Sequence, residues 1–183
     1  LMNEDGKISD LTPGENEKAS FAGWSKDKKS MYYISNKRNP KFFDFYKMKV
    51  DTWKSEMLYQ NDNGINISDM SEDESWFSFS QTITTSENKL FLTNRIDKST
   101  IELSVEPGSY SSSGFSNDNK YFFFITDVGE EFSYLVKYEI ETGKEEVLFQ
   151  TNWDVMYSYL SENEKYRVTA VNEDGKNTLF IKN

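Results

Sequence analysis

The sequence predicts an all-β chain of about four four-stranded antiparallel sheets, and two observations carry that prediction. First, one short stretch occurs four times: an aromatic or apolar residue, a serine, a polar turn, then an apolar run. The copies are Trp24–Ile34, Met70–Phe79, Phe115–Ile125 and Leu160–Ala170. Their serines, Ser25, Ser71, Ser116 and Ser161, are spaced 46, 45 and 45 residues apart. A fixed period in this range marks a repeat fold, and its length suits a blade of a β-propeller. Second, the apolar runs are short and separated by polar turns, with no sustained i, i+3, i+4, i+7 pattern that would signal a helix.

Taken in order, residues 1–19 read as the tail of a blade. Asp5-Gly6 suits a tight hairpin, Ile8-Ser9-Asp10-Leu11 alternates like a half-buried strand, and Pro13-Gly14 ends it. The four repeats span approximately 20–62, 63–107, 109–151 and 153–183 of a single 1–183 propeller domain or propeller fragment. In the first, strands are expected over 20–24, 30–35, 42–50 and 56–60, with a loop at 36–40. In the second they fall at 65–70, 75–81, 90–93 and 100–105. The third has 121–126, 134–140 and 146–149. The fourth has 154–160, 166–171 and 178–181, and lacks an outer strand. Residues 7–12 carry a strand of the missing type. The expectation is therefore that 7–12 pair beside 178–181, within one chain or between two, so that exchange of a terminal strand closes the last blade and removes an open sheet edge.

Composition bounds the function. The chain of 183 residues carries 31 acidic and 21 basic residues, for a formal charge of −10. That balance argues against nucleic acid as a partner, because phosphate binding needs clustered Lys and Arg. There is no Cys and no His. Disulfides, thiolate nucleophiles, histidine metal ligands and a Ser-His-Asp triad therefore cannot be assembled from these residues. No apolar run reaches the length of a membrane span, and the start has no signal-peptide pattern. Leu1 in place of an initiator Met suggests a trimmed or processed start. Phe, Tyr and Trp make up 16% of the residues, so the core must be largely aromatic. Tyr32-Tyr33, Trp76-Phe77, Tyr121–Phe124 and Tyr157 with Tyr159 are read as core between blades.

Among residues that could act on a ligand, Lys37 and Arg38, beside Pro40 and Phe42-Phe43, could recognise a carboxylate or another domain, or form a basic loop over packed aromatics. Asp69, Glu72, Asp73 and Glu74 form an acidic cluster. It lacks the glycine bend of a calcium loop and reads as a charged turn, so no metal and no cofactor are expected. The four repeated serines are explained by a hydrogen bond within their turns rather than as nucleophiles.

Three longer strings narrow the reading: Phe21–Ser25 leading into Tyr32–Tyr46, Thr126–Val136, and Trp153–Tyr159. With the repeats, they resemble TolB-like or WD40-like propellers, and most of all the N-terminal propeller of bacterial serine peptidases of the prolyl oligopeptidase (S9) type. True WD40 repeats end in Trp-Asp, whereas Trp153-Asp154 starts a repeat here. The resemblance implies a non-catalytic propeller that gates access to a hydrolase domain and contacts the peptide or that domain. It also implies a periplasmic or secreted location. No G-x-S-x-G elbow is present, so no catalytic residue carries over. By the same resemblance Glu130 and Glu131 could bind a peptide's α-amino group, as a glutamate pair does in dipeptidyl peptidase relatives; otherwise they are a solvated turn. The alternatives are a stand-alone TolB-like module that binds proteins, with homodimerisation one means of closure, and a small lyase or hydrolase using Asp, Glu, Lys, Arg or Tyr.

Overall fold

The computed structural model describes residues 5–183. Among them the regular structure is all β, in fifteen strands. The chain divides into two compact units, one ending at Asn66 and one spanning Ile67–Asn183.

The first unit holds a four-stranded antiparallel sheet of β1 (Ala19–Trp24), β2 (Ser30–Asn39), β3 (Phe42–Lys49) and β4 (Ser55–Tyr59), in that order. Tyr33, Tyr46 and Met48 form a buried cluster on one face, with Leu11, Met31 and Trp53 against it. The Tyr33 and Tyr46 rings stack at 5.2 Å, a cross-strand pair of directly opposed residues. The loop expected at 36–40 is instead mostly strand. β2 continues to Asn39, which pairs with Phe42. Asn36 is held on its other side by Lys18, whose N–H donates to Asn36 Oδ1 (2.6 Å) and whose carbonyl accepts the Asn36 N–H (3.2 Å).

Residues 7–12 differ from expectation too. Among the described residues they form no strand in the four sheets, although Ile8 makes an isolated β-bridge. Asp5 Oδ1 accepts the Lys7 N–H (3.1 Å) and Asp10 Oδ1 accepts the Thr12 N–H (2.9 Å). These Asx turns satisfy locally the amides of Lys7 and Thr12. Ile8 is 81% exposed, while Leu11 anchors the segment to the first unit's cluster.

The second unit contains three sheets. One is β5 (Asn66–Met70), β6 (Trp76–Thr82), β7 (Asn88–Asn94) and β8 (Thr100–Glu102). The next is β9 (Tyr110–Phe115), β10 (Tyr121–Thr126), β11 (Tyr134–Glu139) and β12 (Glu145–Phe149). The last is three-stranded: β13 (Asp154–Leu160), β14 (Arg167–Glu173) and β15 (Lys176–Lys182). β8 ends before its expected limit at Val105. The Ser104 hydroxyl accepts the Leu90 N–H (3.1 Å) in place of a ladder carbonyl, and Val105 turns outward. β9, which has only Tyr110 and Phe115 as large apolar residues, is the strand the sequence pattern leaves unmarked; Gly114, at φ +92°, accompanies its irregular register with β10.

Two aromatic and aliphatic layers hold the second unit together. Leu90, Leu92, Leu103, Tyr110, Phe122, Phe124, Val136 and Tyr138 fill the seam between the second and third sheets. Phe123, Ile125, Leu135, Val155 and Val171 fill the seam between the third and fourth. β10 supplies both: Phe122 and Phe124 face one way, Phe123 and Ile125 the other. Its run Phe122-Phe123-Phe124-Ile125 is buried on both faces because it sits between two layers.

The repeated serine turn has one geometry in all four copies. In the first, the Ser25 hydroxyl donates to Asp27 Oδ1 (2.7 Å) and accepts the Ser30 N–H (2.9 Å). In the second, Ser71 donates to Asp73 (2.8 Å) and accepts from Trp76 N–H (2.9 Å). Ser116 likewise bridges Asp118 (2.7 Å) and Tyr121 N–H (3.0 Å). Ser161 bridges Asn163 (2.9 Å) and Tyr166 N–H (3.0 Å). The third residue after each serine, Lys28, Glu74, Asn119 or Glu164, takes a left-handed backbone with φ of 54–61°. The serine and the Asx residue satisfy the amides of a turn tight enough to require that conformation.

Candidate functional site

The candidate ligand-binding residues lie on different sheets. In the first unit, Lys37 and Arg38 sit on β2 where it approaches the hairpin at Pro40-Lys41. Arg38 reaches across to Asp44 of β3, a carboxylate with no exposure. Arg38 Nε and Nη2 donate to its two oxygens at 2.7 and 2.8 Å, and Nη2 also donates to the Asn61 carbonyl at 2.7 Å. Asp44 accepts two further hydrogen bonds, from Asn61 N–H (2.8 Å) and Tyr46 O–H (3.2 Å). Arg38 Nη1 lies 3.1 Å from Asp62.

This network ties β3 to the chain that follows β4. Burial alone would push the Asp44 carboxyl up, but the Arg38 guanidinium and the Asn61 amide outweigh it and hold it below the usual carboxylate range. Arg38 is correspondingly raised, first by its hydrogen bonds to Asp44. Burial beside that carboxylate pushes the Tyr46 phenol up to about 12. Lys37 is exposed, with its ammonium 4.0 Å from the Tyr46 ring centroid and within 3.2 Å of the Tyr33 hydroxyl. Both cations are exposed, and Arg38 is the more committed.

In the second unit, Glu130 and Glu131 are exposed in the β10–β11 connection. Both ends of that connection are pinned. Asp127 Oδ1 accepts the Ser109 N–H (2.8 Å), and Ser133 donates its N–H (3.0 Å) and its hydroxyl (3.2 Å) to Asp154 Oδ1. Phe132 packs on Trp153, ring centroids 6.2 Å apart. The structure thus presents the glutamate pair on a fixed frame. Of the acidic cluster, Asp73 belongs to its serine turn and Asp69 lies on β5, where burial pushes its carboxyl up. Among the described residues no group of three or more acidic side chains is arranged to hold a metal ion. No helix among them is long and apolar enough to cross a membrane.

One residue escaped the sequence reading. Arg167 opens β14, and its guanidinium lies 3.9 Å from the centroid of the Phe123 ring. Nη1 donates to the Ser158 hydroxyl (3.2 Å), which is shared with Thr169 (3.1 Å). Burial lowers Arg167 to about 10. Its signal was present in the repeats: the sixth residue after each turn serine is Met31, Phe77 and Phe122, then Arg167.

No family model matches the chain, and no curated protein matches it by sequence. Its fold, however, recurs in solved structures. TolB from Acinetobacter baumannii superposes with a TM-score of 0.72 over 100% of this chain and 45% of its own, at 16% identity. A structure from work on two prolyl endopeptidases, on inter-domain dynamics in catalysis and specificity, matches at 0.67 over 91% of this chain and 28% of its own, at 13% identity. Prolyl oligopeptidase B from Galerina marginata, bound to a 35mer substrate, matches at 0.62 over 88% of this chain and 25% of its own, at 15% identity. The four sheets are therefore blades of a TolB-like propeller fold. The chain spans about half the length of that TolB and about a quarter of the two peptidase chains.

Proposed function

We propose that this chain is a non-catalytic propeller module of an S9 prolyl oligopeptidase-like serine peptidase, gating substrate access and contacting the peptide or the hydrolase domain. The observation that supports it is the likeness of nearly the whole chain to about a quarter of the peptidase chains, joined to a composition with no His or Cys. A nucleophile–base pair of the S9 type needs a histidine, so the chemistry would belong to another part of the protein. Glu130 and Glu131 would receive a peptide's α-amino group, and Lys37 and Arg38 a carboxylate or the neighbouring domain. A periplasmic or secreted location belongs to the same proposal.

A second reading, a stand-alone TolB-like module that binds proteins, is favoured by the full coverage of this chain on TolB. Closure by terminal strand exchange, in a ring or a homodimer, belongs to either reading. One experiment separates them. The native polypeptide carrying this sequence is treated with a fluorophosphonate probe. The peptidase reading expects labelling at a serine outside these residues, and an unlabelled native polypeptide would leave the binding module.

A further inference from the structure

We propose that Arg167 is a binding site for a carboxylate presented by a peptide or protein partner, at the seam between the third and fourth sheets. The inference is independent of which of the two readings above holds.

The repeat makes the charge anomalous. Its counterparts Phe77 and Phe122 are 2% and 0% exposed, and Met31 packs against a core cluster. An apolar side chain at this position meets every demand of the blade, so the fold does not require a cation there. The guanidinium also lacks the partner that a half-buried cation normally has. Among the described residues it forms no ion pair. The acid that most influences it is Glu164, and Glu164 Oε1 already accepts the Asn117 N–H at 2.5 Å.

The guanidinium lies over the Phe123 ring, and Ser158 accepts one N–H of Nη1. The Nε and Nη2 donors have no acceptor among the described residues. Two parallel N–H groups on one rigid edge match the two oxygens of a carboxylate. Burial disfavours the charged form of Arg167, and an arriving anion offsets that cost. The surroundings select the anion: the Glu164 carboxylate acts on Arg167, in a chain of charge −10. A dianionic phosphate is repelled more strongly than a planar monoanion.

The test follows the Arg167 Nε–Hε resonance by NMR in the 183-residue protein. The probes are N-acetyl-trialanine with a free C-terminus, an amide-capped N-acetyl-Ala-Glu-Ala, fully capped trialanine, and inorganic phosphate. A saturable shift is expected with one or both carboxylate peptides and none with the capped peptide. The free-terminus and glutamate peptides distinguish a chain terminus from an acidic side chain. Arg167→Lys keeps the charge but loses the fork, and should weaken binding roughly tenfold or more; Arg167→Gln should abolish it. Equal binding by the capped peptide, undiminished binding by Arg167→Lys, or tighter binding of phosphate would each overturn the proposal.

Discussion

Arg38 in the first sheet and Arg167 in the fourth are both held partly within a blade, yet they are treated in opposite ways. Arg38 faces Asp44, whose two oxygens accept four hydrogen bonds from Arg38, Asn61 and Tyr46. Its charge is fully used, and the pairing raises its affinity for the proton. Arg167 faces an aromatic ring and a hydroxyl, and burial lowers it to about 10. The difference teaches that a cation in a blade acts as a clamp only when the fold supplies a buried carboxylate. Where it supplies none, the donors are open to an outside partner.

The largest expected effect is on the clamp. Asp44→Ala removes the acceptor for both Arg38 and the buried Asn61 amide, and should destabilise the protein by about 1–3 kcal/mol, the cost of leaving a buried donor without its acceptor. Urea unfolding checks this; a loss below about 1 kcal/mol would mean that solvent replaces Asp44 freely. Arg167→Leu should act in the opposite sense. It restores an apolar residue where the other repeats have one, and should raise stability by about 1 kcal/mol after loss of the cation–π contact. A drop in Tm would show that Arg167 is a structural member of its seam.

The serine turns sharpen the comparison at finer scale. Ser71→Ala orphans the Trp76 amide in a buried turn and should cost about 1 kcal/mol, more than Ser161→Ala, whose turn is more open. Equal losses would mean that burial does not set the value of this hydrogen bond. The smallest effect is on acid sensitivity. The Ser116 hydroxyl and the Lys120 amide hold Asp118 below its ordinary value of 3.8. A depressed carboxyl contributes stability that is complete above pH 3.8 and is lost as pH falls through the lower, folded value. Asp27, held down by the Lys29 amide and Ser25, behaves alike. In Asp73, burial works against the shift but the Ser75 and Ser71 bonds outweigh it. The fourth turn has Asn163 and adds nothing to this limb. Asp118→Asn should therefore flatten the fall of Tm below pH 3.8, and Asn163→Asp should steepen it; the reverse signs would refute the assignment.

The sequence by itself determined the repeat, the strand class and most strand positions. β10 and β13 begin and end where the pattern places them, because the turn serine is a local signal: β10 is the apolar run after Ser116, and β13 runs up to Ser161. It also determined that no Ser-His pair could form. Three features were decided only in the tertiary structure. Asn36–Asn39 are strand because Asn36 is tied to Lys18 and Asn39 pairs with Phe42, partners that no local pattern reveals. Residues 7–12 alternate like a strand, but Lys7 and Thr12 give their amides to Asx turns, Ile8 makes only an isolated bridge, and Leu11 lies on the first unit's cluster. Nothing local separates Arg38 from Arg167; Asp44, six residues after the first, commits one, and Phe123, forty-four residues before the second, leaves the other without a carboxylate. Local periodicity reports the face a residue occupies, whereas the partner it meets on that face is set by packing between strands and sheets distant in sequence.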